Sequence, residues 1–363
     1  MSSTEKSPTR GRKSRTNANR PTVADVARAA EVSLMTVSRV VNHGTNVSEE
    51  TRKKVEAAIA ELGYVPNQAA RNLAGGREVR IALLYSNPSS AYLSEFLMGS
   101  LGEASVNAAQ IIVEYCEEGV RPADLVGKLA AHRANAVLLP PPLCDDERLL
   151  KRLQKAGLPM AQIATGRPSR HAYAVTIDDA GATEDLVRLL IEQGHSRIGY
   201  ISGNPNQTVS ELRQAGYEKA LADADIAPRP DLIVSGDFSY RSGLQAAERL
   251  LASTEPPTAI VASNDDMAAA ALAVAHRHGL DVPGDLSVCG FDDTAMATTI
   301  WPELTTIRQP ISEMARQATA MLIADVRESP VAGVDARHVR LDCELVRRAS
   351  HGPPRDMTVS PRG

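Results

Sequence analysis

Two regimes of hydrophobic spacing divide this chain. From Thr22 to Leu62, apolar residues return every third or fourth position, which lays one stripe along a helix. The stripes are Val23, Val26, Ala27 and Ala30, then Val37, Val40 and Val41, then Val55, Ile59 and Leu62. Each has punctuation: Thr22 stands three residues ahead of Asp25 as in a capping box, Ser33 and Ser48 are placed to cap the next two helices, and Gly63 is a stop. Only Glu31-Val32 separates the first two helices, so they form a helix-turn-helix whose second helix offers its N-terminal residues to a major groove.

From Arg80 onward, apolar runs alternate with helical stretches. Strands are expected around 81–84, 111–113, 136–139, 198–201, 232–234, 259–261, 286–288 and 304–307, and helices around 92–108, 122–132, 145–156, 180–193, 211–223, 240–251, 265–277 and 311–326. That alternation marks parallel sheets with crossover helices, and so many strands call for two doubly wound subdomains rather than one sheet. Ligands of such sheets sit off the C-terminal strand ends, and a cleft between two of them suits a small molecule.

The segment Pro66–Gly76 fits neither regime. Asn67 can cap a helix of about two turns, Gln68 to Leu73, which is too short to persist alone in water. Two copies side by side on DNA would shield each other, with Ala70 allowing close approach.

Charge sharpens this division. The net charge is −4, yet residues 1–77 hold 13 Lys and Arg against 7 Asp and Glu, leaving 27 against 37 in the rest. The basic end meets phosphate and the acidic body stays off it. Cys116, Cys144, Cys289 and Cys343 lack metal-ligand or disulfide-framework spacing, so no metal or cofactor is expected. There is no G-x-G-x-x-G opening the first crossover, no Walker loop and no G-x-S-x-G, so catalysis is not expected. No run reaches the length of a membrane span and no secretory segment opens the chain, which points to the cytoplasm. Residues 1–20 and 349–363 offer little to bury and read as disordered tails.

The motifs T-V-A-D-V-A-R-A-A-E-V-S-x-x-T-V-S-R-V-V-N, V-S-E-E-T-R-x-x-V and L-G-Y-V-P-N-x-x-A-R-x-L occur in order, and with them the chain resembles the LacI/GalR family of repressors. The resemblance continues over nearly the whole length. It implies a helix-turn-helix head at 21–65, a hinge helix and linker at 66–78, and an effector-binding and dimerisation domain at 79–348. The body would be similar to periplasmic sugar-binding proteins of type I, with chain crossings near 175–178, 290–307 and 328–338.

On the recognition helix the candidate major-groove residues are Ser33, Leu34, Met35, Thr36, Ser38, Arg39 and Asn42. Arg39 is the best base reader, since a guanidinium pairs with O6 and N7 of guanine. Leu34 and Met35 replace the polar residues common in the family and suit thymine methyls. In the hinge, the family pattern carries minor-groove roles to Asn67, Ala70, Arg71 and Leu73, with Leu73 wedged into a pyrimidine–purine step. In the body it carries effector contacts to Tyr92, Arg213, Phe238, Asn264 and Asp292. Charged groups beside an aromatic face suit a polyol, while Asp265 is expected to cap the following helix and Trp301 to line the cleft mouth. Gln207 and Val209 stand where the purine-binding member contacts its base, which argues against a purine.

The resulting expectation is a homodimeric, sugar-responsive repressor on a palindromic operator, with the choice between inducer and corepressor open. The alternatives are a corepressor-dependent repressor responding to a non-sugar metabolite and a sugar-binding transport or chemotaxis protein.

Overall fold

Thr22 starts the first helix, α1 (Val23–Ala29), with a reciprocal cap: its backbone N–H donates to Asp25 Oδ2 at 2.9 Å, and its hydroxyl accepts from the Asp25 N–H at 3.4 Å. Helix α2 (Leu34–Val41) is capped by Ser33 Oγ, which accepts from the Thr36 N–H at 3.1 Å. Helix α3 (Glu49–Leu62) starts at Ser48 and stops at Gly63, whose φ of 59° only glycine adopts without cost. Val26, Val37 and Val55, one from each helix, are fully buried together. The three expected stripes therefore close one small core.

The computed structural model describes residues 21–41, 47–64, 78–86, 89–116, 121–327 and 337–355, and the chain divides into two units, Met1–Arg77 and Glu78–Gly363. The expected tail at 1–20, Asn42 and the hinge residues Asn67, Ala70, Arg71 and Leu73 lie outside the described residues.

In the second unit, β1 (Arg80–Tyr85), β2 (Gln110–Tyr115), β3 (Ala136–Leu139), β4 (Met160–Ile163) and β5 (Tyr173–Thr176) build one sheet with α4 (Ser90–Val106), α5 (Pro122–Ala131) and α6 (Glu147–Lys155). The second sheet holds β6 (Ile198–Ser202), β7 (Ile233–Ser235), β8 (Ala259–Ala262), β9 (Ser287–Asp292) and β10 (Thr305–Arg308). Its helices are α7 (Asp179–Glu192), α8 (Thr208–Asp223), α9 (Tyr240–Leu251), α10 (Asp265–Arg277) and the short α11 (Ala295–Thr299). Helix α12 (Ile311–Arg327) returns to pack on β4, β5 and α4. Strands β11 (His338–Arg340) and β12 (Glu344–Val346) then complete the two sheets, in the orders β11-β5-β4-β3-β1-β2 and β12-β10-β9-β8-β6-β7. All pairings are parallel except β10 with β12. Helices α7 and α8 approach closely because Gly216 faces the Ala180 carbonyl, where a Cβ would lie 2.2 Å from the oxygen.

Two of the three expected crossings move. The first lies after β5, near 177–178, as expected. The second follows β10 rather than falling within 290–307, since β9 and β10 pair within one sheet. The third lies between β11 and β12, at 341–343, because β11 still pairs with β5. The disordered tail expected at 349–363 does not begin at 349, and residues 356–363 lie outside the described residues. Ser350 is fully buried, its backbone carbonyl accepts from the Val288 N–H at 2.8 Å, and the Gly352 N–H donates to Ser287 Oγ at 3.0 Å. These polar residues are held by hydrogen bonds to β9, not by apolar burial.

Candidate effector cavity and DNA-binding helix

On α2 the sides divide as the stripe dictates. Val37 and Val40 are buried, while Ser33, Leu34, Met35 and Arg39 are exposed and Thr36 and Ser38 are half-buried. Leu34 and Met35 are 54% and 64% exposed, a large cost for apolar side chains in water alone. Arg39 Nη2 donates to Met35 Sδ at 3.6 Å, a weak contact that leaves its charge available.

In the body, the five residues named from sequence, Tyr92, Arg213, Phe238, Asn264 and Asp292, line one narrow cavity of about 30 Å³. They come from α4, α8, the β7–α9 loop, the end of β8 and the end of β9, so only the folding of both subdomains brings them together. Phe238 and Asp292 hold φ values of 71° and 113°, a strained backbone that persists where surroundings enforce it and that clusters at functional sites. Gly203 makes room for the Phe238 ring: a Cβ there would meet its Cζ at 2.0 Å.

Arg213 is the electrostatic centre. Its Nε donates to Asp179 Oδ1 at 2.8 Å and its Nη1 to the Ser263 carbonyl at 2.6 Å, with Asp292 Oδ1 at 3.6 Å. The guanidinium also lies over the Phe291 ring, 3.6 Å from its centroid. Burial pulls Arg213 down, but the charges of Asp179 and Asp292 outweigh it and hold it above the ordinary arginine range. Burial raises the Asp292 carboxyl to about 7 against the opposing pull of Arg213. Burial likewise raises Asp179, with Arg213 holding the rise back.

The helix cap expected of Asp265 falls to Asn264, which also lines the cavity. Asn264 Oδ1 caps α10 by accepting from the Met267 N–H at 3.0 Å, and its Nδ2 donates to the Phe238 carbonyl at 2.9 Å. Asp265 instead accepts from the Thr294 N–H at 2.8 Å and from Thr306 Oγ1 at 2.7 Å. Asn264 thus braces the aromatic wall. Trp301, expected at the cleft mouth, is 80% exposed and lies outside the cavity lining.

Sequence reading passed over Asp179 and Gln309. Asp179 opens α7, where an acidic residue reads as ordinary helix-start chemistry. Gln309 follows β10 in a polar turn, yet it is buried and its Nε2 donates to Asp292 Oδ1 at 2.7 Å. Neither carries a sequence signal of its own, because the partner of each, Arg213 for Asp179 and Asp292 for Gln309, is supplied only by tertiary proximity. The cavity rims are bridged across the subdomains: Ser89 Oγ donates to Asp266 Oδ2 at 2.5 Å, and the Thr208 N–H donates to Asp145 Oδ2 at 2.8 Å.

A helix-turn-helix unit in the same chain as a two-sheet body with a polar, charge-paired cavity defines a DNA-binding transcriptional regulator. Residues 22–67 match the family of bacterial regulatory proteins, lacI family, and residues 187–351 match the periplasmic binding protein-like domain. The transcriptional repressor CytR of Escherichia coli is 33% identical over 330 residues, covering 91% of this chain and 96% of its own. CelR of Thermobifida fusca is 36% identical over 311 residues, 84% of this chain and 91% of its own. The solved structure of a CelR–cellobiose complex matches at 32% identity and a TM-score of 0.69, over 91% of this chain and 100% of that one. The lac repressor dimer bound to operator and the anti-inducer ONPF matches at 30% identity and a TM-score of 0.70, over 92% and 100%. The chain therefore belongs to the lacI family of bacterial regulatory proteins. Among the described residues no helix is long and apolar enough to cross a membrane.

Proposed function

We propose that this protein represses carbohydrate-utilisation genes in the cytoplasm and is released from its operator when a small sugar occupies the cavity around Arg213. The observation that carries the reading is the convergence of Tyr92, Arg213, Phe238, Asn264 and Asp292 on one cavity between the sheets. Arg213 and Asp292 would bind hydroxyls, and the Phe238 ring would cover an apolar sugar face. A ligand there touches both subdomains. It therefore biases their relative orientation, and a differential of roughly 1–3 kcal/mol is enough for control. At the other end, Arg39 would read guanine, Leu34 and Met35 would meet thymine methyls, and Ser33, Thr36, Ser38 and Asn42 would complete the groove contacts. Asn67, Ala70, Arg71 and Leu73 would form a minor-groove helix that pairs only on DNA.

A homodimer on a palindrome is part of this reading. Strand β2 is the edge of its sheet and packs with α4, and exposed apolar side chains occur on both, Val113 and Tyr115 on the strand and Met98, Leu101 and Val106 on the helix. That apolar face suits a second copy, and a palindrome of two half-sites a helical turn apart calls for two heads.

Calorimetric titration of mono- and disaccharides against wild type and Arg213→Ala tests the cavity. A sugar should bind wild type and lose at least about tenfold in affinity in the variant. Affinity untouched by the substitution would remove Arg213 from the site.

A further inference from the structure

The charges around the cavity do not balance. Among the described residues Arg213 is the one cation lining the cavity, and its guanidinium is already engaged by Asp179 at 2.8 Å, the Ser263 carbonyl at 2.6 Å and Asp292 at 3.6 Å. Two carboxyl groups thus face one guanidinium, which leaves it no charge to spare for a ligand. An entering phosphate or carboxylate would find no spare positive charge, whereas recognition of such groups is ordinarily built from unpaired Arg or Lys forks.

The unmet demand in the cavity is of another kind. Tyr92 is 5% exposed and Gln309 is 3% exposed, and both line the cavity. Tyr92 Oη and Gln309 Oε1 are buried without a hydrogen-bond partner. Buried polar atoms are otherwise nearly always satisfied, so each marks a position where a ligand group belongs. Gln309 Oε1 accepts only. With its Nε2 donating to Asp292, the amide is oriented so that this oxygen needs an O–H or N–H.

Resting on the reading of the cavity as the effector site, we propose that the effector is an uncharged, hydroxyl-rich molecule and that its phosphorylated or carboxylated counterparts are rejected. One hydroxyl donates to Gln309 Oε1, another bonds Tyr92 Oη, and Asp292 accepts a third. The lack of an uncommitted cation supplies the rejection, so specificity against metabolically activated sugars comes from an uncompensated ligand charge as well as fit.

The full-length protein is titrated calorimetrically with matched pairs: glucose and glucose 6-phosphate, ribose and ribose 5-phosphate, glucose and gluconate, uridine and uridine monophosphate. The neutral member of the binding pair should be at least about tenfold tighter, the scale of one uncompensated charge in a partly hydrated site. Asp292→Asn should shrink that ratio while weakening the neutral ligand. A phosphorylated or acidic member binding as tightly as its neutral partner overturns the proposal, as does an unchanged ratio in Asp292→Asn. A nucleoside that binds in preference to its monophosphate, with every sugar silent, would sink the sugar reading and support the charge argument; a phosphorylated sugar as best ligand would do the reverse. Inorganic phosphate that raises the melting temperature of wild type but not of Arg213→Ala also overturns it.

Discussion

Replacing Asp179 with Ala isolates the buried ion pair on which the cavity floor depends. Asp179 is 2% exposed and Arg213 is 3% exposed, and the carboxylate accepts from Nε at 2.8 Å. Removing one partner of a buried pair costs about 3–5 kcal/mol, because the other charge is left desolvated. Asp292 at 3.6 Å and the Ser263 carbonyl still compensate part of the guanidinium, which places the expected loss near the lower bound, about 3 kcal/mol. Unfolding entropy of about 2 cal/mol/K per residue, summed over Glu78–Gly363, gives about 0.6 kcal/mol per kelvin, hence a melting temperature about 5 °C lower. Circular dichroism melting of the full chain reads this directly. The double variant Asp179→Leu, Arg213→Met removes both charges at similar volume and should recover most of the loss, because a well-packed apolar pair avoids the desolvation cost. A single variant within about 1 °C of wild type, or a double variant no better than the sum of the single ones, would refute the pair as a stabilising unit.

Two further outcomes follow from the same geometry. Because Asp292 titrates at about 7, and a hydroxyl donor favours its ionised form, effector binding releases a proton and affinity falls as pH drops through that value, by up to about tenfold per unit; calorimetry across this range would show a flat affinity if Asp292 does not touch the ligand. Gly203→Ala puts a methyl 2.0 Å from Phe238 Cζ, so the ring must leave its place, at about 1–3 kcal/mol of overpacking and with weakened effector binding; a variant with unaltered melting and unaltered titration would dismiss the ring as a cavity wall.

The sequence by itself determined the local structure. Stripes of Val23, Val37 and Val55 type, with Thr22, Ser33, Ser48 and Gly63 as punctuation, specify three helices because caps and periodicity act within a few residues. Strands made of continuous apolar runs were equally legible. Those missed, β4 and β5 with β11 and β12, are short or carry polar residues whose partners lie elsewhere: Gln162 in β4 is fully buried because its Nε2 donates to the Cys144 carbonyl at 2.6 Å and its Oε1 accepts from the Ser169 N–H at 2.7 Å. Family motifs placed the five cavity residues, and the fold gathered them into one lining.

Only the tertiary structure decided what each of those residues has as a neighbour. It paired Arg213 with Asp179, gave the helix cap to Asn264 rather than Asp265, turned Gln309 toward Asp292 and drew Ser350 into the body. The physical reason is range. Caps and amphipathic stripes are set by contacts a few positions apart, whereas the balance of buried charge depends on groups such as Arg213 and Asp292, far apart in the chain, that meet only after β6, β8 and β9 have paired.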